Sequence, residues 1–209
     1  MTQVLINRAG VTPAMAQFAA RVSQGHIGRA KYLAFNEGAR SNRTTIMHLP
    51  LQLNSLAAAF KAAQTLVDLA TTAANAATDA RDEKEIASLQ EAYGKGATGR
   101  GMASGAAKAV KELEKEQKSR ATRMVRDSID GALLDIATFY RDVMMVQAGS
   151  ADSIINTDMV NEITTYAAKH PQHSTVSKMS AIMEARTNLA HNAAPLLTCE
   201  ALMCRLAKA

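Results

Sequence analysis

At 209 residues, 47% of them hydrophobic, the chain is long enough for one well-buried domain or for one domain with a small appendage, and too apolar to be disordered. Aromatics make up only 4% and tryptophan is absent, so Ala, Leu and Met supply the apolar surface; these are helix formers, and with only four prolines they predict an all-α fold, a helical bundle. A net charge of +5 is too mild to argue for nucleic acid by itself, and the absence of a charged-then-apolar leader or of a run of about 18 apolar residues disfavours secretion and membrane spanning.

The predicted elements begin with a short helix over residues 3–8, closed by Gly10. Thr12 as N-cap and Pro13 at the first helical position open a second, which runs through Phe18 and Val22 to residue 24 and stops at Gly25. A third begins near Gly28 and carries Ala30, Leu33 and Ala34; a fourth covers 37–49 and ends before Pro50. Four such short helices form a small unit that buries too little to stand alone.

Ser55 then caps a long alanine-rich helix in which Leu56, Phe60, Ala63, Leu66, Val67 and Ala70 mark one buried face, with helical character to about Tyr93. Gly94, Gly96, Gly99, Gly101 and Gly105 make residues 94–105 a flexible connection. That stretch lacks the GK[ST] ending and the preceding strand of a phosphate loop. The strongest helix of the sequence follows, over 104–147, or roughly 65 Å at about 1.5 Å per residue. In it Ile129, Leu133, Ile136, Tyr140 and Val143 step by four, three, four and three, a seam suited to antiparallel bundle packing. Gly149 and Ser150 end it, and helices over 158–169, over 174–190 and from Pro195 onward complete the chain. No strand and no repeat of fixed period is predicted.

Few residues carry chemistry. Cys199 and Cys204 would point to different faces of one helix, so plain core thiols in a reducing, cytoplasmic setting are expected. His170 and His173 flank Pro171 without a carboxylate cluster or a CxxC, which makes a metal site a poor reading. No catalytic constellation stands out, so no cofactor and no enzymatic activity are expected.

The basic residues are less evenly spread. From Lys95 to Arg126 nine basic residues face three acidic ones, a surplus of six that exceeds the charge of the whole chain. Lys108, Lys111, Lys115, Lys118, Arg123 and Arg126 share one side of the helix, while Val110, Leu113, Ala121 and Met124 share the other. The stripe is either a solvated face or a contact for DNA phosphates or an acidic partner; without aromatics beside it, stacking on single-stranded bases is not expected. Met144, Met145, Met179, Met183 and Met203 are either core filler or an adaptable subunit interface, for which methionine is well suited.

Three segments carry a resemblance. GHIGRAKYLAF, residues 25–35, resembles the helical lid that follows the ATPase core in clamp-loader AAA+ proteins, with Gly28 where the ATP-hydrolysing members carry their sensor 2 arginine. LLDIATFYRDVMMVQAG, with Tyr140, Arg141 and Asp142 followed by Asn156 and Asp158, resembles the collar helix of the same subunits. ARTNLAHNAAPLLTCEALMCRL, with Asn192, Leu197 and Glu200, resembles their final collar helices, and GATGRG followed by KELEKEQKSRATR is similar to the actinobacterial form of the delta prime family of DNA polymerase III. The resemblance implies a lid remnant over 1–49, a collar over 50–209 and an AAA+ core upstream of both. It implies a non-hydrolysing scaffold whose partners are the tau/gamma and delta subunits, with the sliding clamp reached through the full complex. Arg29, about 100° from Gly28 on a helix, does not inherit the sensor role. The rival expectation is a stand-alone helical protein that binds nucleic acid through the basic stripe at 108–126.

Overall fold

The computed structural model describes residues 1–93 and 102–208, the side chains of 80 and 102–106 excepted. All the regular structure among them is helical. Four short helices come first: α1 (Thr2–Ala9), α2 (Pro13–Val22), α3 (Ile27–Phe35) and α4 (Glu37–His48). Gly10 closes α1 at φ 66°, a left-handed conformation that places the Gly10 and Val11 N–H groups on the open carbonyls of Ile6 and Leu5. Val22 ends α2, two residues earlier than the sequence suggests, because Gln24 itself turns to φ 49° before Gly25. The α3 and α4 N-termini are capped by side chains: His26 Nδ1 accepts from Arg29 N at 3.1 Å, and Asn36 Oδ1 accepts from Ala39 N at 2.9 Å. Leu5, Ala16, Ala19, Val22, Ala30, Leu33 and Ala39 form a small core of their own.

Beyond a 3₁₀ turn at Leu49–Gln52 lies the bundle. Its helices are α5 (Leu56–Ala92), α6 (Met102–Gln147), α7 (Val160–Lys169), α8 (Gln172–Ala190) and α9 (Pro195–Lys208). Ser55 Oγ caps α5 by accepting from Ala58 N at 3.1 Å. Helix α6 begins at Met102, two residues before the start expected at 104, so the last residues of the expected connection belong to the helix. Residues 94–101 of that expected connection lie outside the described residues.

Ile129, Leu133, Ile136, Tyr140 and Val143, the seam of α6, are all fully buried. They pack with Leu66 of α5, Ile163 of α7, Ile182 of α8 and Leu202 and Met203 of α9. The α5 face is corrected: Ala59, Ala62, Ala63, Leu66, Ala70 and Ala74 are buried, whereas Leu56 and Phe60 are exposed. Small side chains let α5 approach its neighbours closely, and the bulkier residues of its first turns turn outward.

Helices α5 and α6 run antiparallel. Towards their connected ends, residues 79–92 and 107–128 bury no apolar side chain fully, counting described side chains only. Polar clamps hold the pair there. Arg120 Nη2 donates to Asp82 Oδ1 at 2.6 Å and to Glu85 Oε2 at 2.5 Å, and Gln117 Nε2 donates to the Asp82 carbonyl at 3.0 Å. The arginine guanidinium beside Glu85 holds its carboxyl down at about 2. No helix among the described residues is long and apolar enough to cross a membrane.

Candidate functional site

The two cores meet on α4. Ala39 belongs to the small one, while Ile46 and Met47 belong to the bundle. Arg43, between them on the same face, is therefore carried into the junction and is only 3% exposed. A cation in that position needs partners. Its Nε lies 3.2 Å from Asp135 Oδ1 on α6, its Nη2 donates to Asn156 Oδ1, and the Asp158 carboxylate is 3.8 Å from Nη1. The guanidinium also stands 5.8 Å from the centre of the Phe18 ring.

Arg29 of α3 reaches the same place. Its Nη2 lies 2.5 Å from Asp135 Oδ1, and its Nη1 donates to the Gly131 carbonyl at 3.2 Å. Asp135 thus holds two arginines, one from each of two helices of the small unit. Burial pushes its carboxyl up, and the two guanidiniums oppose that shift.

Behind this lies a fully buried carboxylate, Asp142. It accepts from the backbone N–H groups of Ile155 and Asn156, at 3.0 and 2.8 Å, from Asn156 Nδ2 at 2.8 Å and from Arg141 Nη1 at 2.7 Å. Asn156 Nδ2 also donates to Thr138 Oγ1, which in turn donates to the Asp135 carbonyl. Arg141, Asp142, Asn156 and Asp158, singled out from the sequence, are therefore brought into one polar network. The sequence reading missed Arg29, Arg43 and Asp135 as its other members. The signal was present: Arg43 sits at helical spacing from Ala39, Ile46 and Met47, and Asp135 from Ala132 and Phe139, so each places a charge on an apolar face.

Gly28 lines an adjoining cleft of about 490 Å³ with Tyr32, Leu69, Ala73 and Met124. A Cβ built there would stand 3.3 Å from Cε1 of the His26 imidazole, so a longer side chain at 28 would press on the capping histidine. Arg29, its neighbour, is already engaged with Asp135.

The basic stripe lies on the outer face of α6. Lys108, Lys111, Lys115 and Lys118 are exposed and make no ion pair among the described residues. Arg123 and the half-buried Arg126 line a groove of about 850 Å³ with Arg186 and Asn192. Arg186 is held there by both oxygens of Asp130, at 2.7 and 3.0 Å, whereas the buried Nε of Arg126 has no hydrogen-bond partner. Asp127 and Asp130 line the same groove, so its positive charge is largely offset within it.

The methionines separate into three kinds. Met183 is exposed on α8, and Met144, Met145 and Met179 are half-buried. Met203 takes the core-filler alternative: it is fully enclosed in the bundle core and has no surface to offer a partner. Larger apolar side chains stand outside instead, with Phe35 and Leu197 about two-thirds exposed, and Ile27, Tyr32, Leu56, Phe60 and Val176 also open to solvent.

His170 stacks on the Tyr166 ring at 3.8 Å, and no group of three or more metal-ligating side chains occurs among the described residues. Cys199 and Cys204 are free thiols, and burial pushes the Cys199 thiol up to about 12. No family model matches the chain, and no curated protein or solved structure matches it either.

Proposed function

We propose that the chain is an assembly module of a bacterial DNA polymerase III clamp loader, the lid and collar of a subunit of the delta prime kind, which holds ATPase partners in a ring rather than hydrolysing ATP itself. The observation that carries the reading is the junction. A four-helix unit with glycine at the sensor 2 position is fastened to an antiparallel bundle through Arg29, Arg43 and Asp135. The collar-like residues Arg141, Asp142, Asn156 and Asp158 brace that fastening. A lid fastened to its collar suits a ring whose collars hold the ATPase modules in position.

Further support comes from exposed apolar residues spread over unlike elements: Ile27, Tyr32 and Phe35 on α3, Leu56 and Phe60 on α5, Val176 and Met183 on α8, and Leu197 on α9. Head-to-tail contacts between different subunits use unlike faces of this sort, whereas a symmetric pair uses one face twice. Expected partners are the tau/gamma and delta subunits, with the sliding clamp engaged through the complete loader. Co-elution of the purified protein with the collar of a tau/gamma subunit tests the reading; a chain that ignores tau/gamma and delta alike would count against it.

A second reading rests on the stripe. Four exposed lysines on one face of α6 make no ion pair among the described residues, which suits weak, salt-sensitive contact with the phosphates of duplex DNA. As an accessory contact it is compatible with the loader; as the main activity it defines the rival, a stand-alone nucleic-acid-binding protein.

A further inference from the structure

Lys178, in the middle of α8, is 3% exposed, and no carboxylate among the described residues lies within ion-pair distance of it. Its Nζ donates to Tyr166 Oη at 2.8 Å and stands 5.3 Å from the Tyr166 ring and 6.0 Å from the Tyr140 ring. An ammonium has three protons to give, so one hydrogen bond and two ring faces leave it incompletely satisfied. Buried charges ordinarily find a counter-charge, because burial without one is costly.

The neighbouring hydroxyls are unsatisfied too. Ser174 Oγ and Thr175 Oγ1 are buried without a hydrogen-bond partner, and Tyr140 Oη has only the Tyr166 hydroxyl near it. Ser174 and Thr175 stand four and three residues before Lys178 and so share its face of α8. Near the start of the helix few carbonyls lie one turn back, and the N–H groups of these two residues already take the Pro171 carbonyl. Burial, with Tyr166 beside it, pushes the Tyr140 phenol well above its usual range, so Tyr140 is a neutral donor and not a hidden counter-ion.

Two of these residues reach a cleft. Lys178 and Tyr166 line a cleft of about 660 Å³ whose other walls include Asn54, Asn161, Glu162 and Lys169. We infer that the cleft is a binding site for a single carboxylate group, held by the Lys178 ammonium and the Tyr166 hydroxyl. The charges select the ligand. Lys169 and Lys178 against Glu162 leave a surplus of one positive charge, which matches a monoanion and leaves a phosphate dianion with one charge uncompensated. The donors match as well: Tyr166 Oη accepts from Lys178, which leaves its own proton to give, and the ammonium has two more. The carboxylate can arrive as a free small acid or as the Asp or Glu side chain of another chain, since both present the same group. The inference does not depend on the clamp-loader reading.

The test uses the full chain labelled with ¹³C-lysine, its Lys178 signal identified by its loss in Lys178→Arg. Sodium acetate, blocked glutamate (N-acetyl glutamyl amide) and sodium phosphate are titrated at constant ionic strength. Acetate is expected to shift the Lys178 signal saturably, and Tyr166→Phe to weaken that response about tenfold. Blocked glutamate acting well below the acetate concentration supports the site and points to a protein side chain as the source; equal potency supports it and points to a free acid. A Lys178 signal that follows ionic strength alone, or responds to phosphate as strongly as to acetate, overturns the inference.

Discussion

Replacing Arg43 with methionine tests how the two helical units are fastened. Methionine keeps much of the side-chain volume, so the loss is mainly of charge and hydrogen bonds. Arg43 is 3% exposed and engages Asp135, Asn156 and Asp158 at once. Breaking a buried pair by removing one partner costs roughly 3–5 kcal/mol. Asp135 keeps Arg29 at 2.5 Å, which places Arg43→Met at the lower end, about 3 kcal/mol. For a chain of this length that is a fall in Tm of about 6–12 °C. Arg29→Met should cost clearly less, about 1 kcal/mol, because the Arg29 side chain is 24% exposed and the buried arginine remains on Asp135. Urea unfolding followed by circular dichroism gives both values. An Arg43→Met protein within about 0.5 kcal/mol of wild type, or no less stable than Arg29→Met, would refute the claim that Arg43 anchors the junction.

Three other outcomes follow from the geometry. Glu85 is held down at about 2 by Arg120 and Arg81, against an ordinary value of 4.5, so its contribution to stability is present above about 4.5 and is lost as the pH falls towards 2; the stability gap between wild type and Glu85→Gln, read from urea midpoints, should narrow over that window. Cys199, pushed up to about 12 and enclosed in the core, should react with a thiol reagent at pH 8 only as fast as the protein opens, whereas the half-buried Cys204 should react ahead of it, as mass spectrometry of the labelled peptides will read. Changing Lys111, Lys115 and Lys118 together to Glu should abolish a duplex-DNA affinity that is itself only about 10⁻⁴ to 10⁻⁶ M at physiological salt, as fluorescence anisotropy will show; nanomolar binding lost in that variant would favour the rival reading.

Helices were legible because their signals are local. The seam from Ile129 to Val143 is written in consecutive turns of one helix, and all five of its residues are buried. Leu56 and Phe60 were misplaced for the opposite reason: their spacing fits a buried face, but which arc of an alanine-rich helix turns inward depends on how closely its neighbours approach, and Ala59, Ala62 and Ala63 allow the closer packing. Met203 could not be placed from sequence because methionine suits a core and an interface equally well. The junction was half visible. Arg141 to Asp158 could be picked out as an element, but its link to Arg29 and Arg43 spans about a hundred residues of sequence, and only the fold closes that distance. The Lys178 cluster gave no sequence signal, since a lysine three or four residues from Ser and Thr on a helix is ordinarily a solvated one.

Association with unlike partners is the property that a clamp-loader module must have. The purified chain, alone and mixed with the collar portions of a tau/gamma and a delta subunit from one organism, should be sized by light scattering behind a gel-filtration column. Alone it should have the mass of one chain; with a partner it should form a complex of unlike chains, burying on the order of 1,000 Å² or more. A tight symmetric homodimer that leaves both partners unbound would contradict the proposal that this is a clamp-loader assembly module.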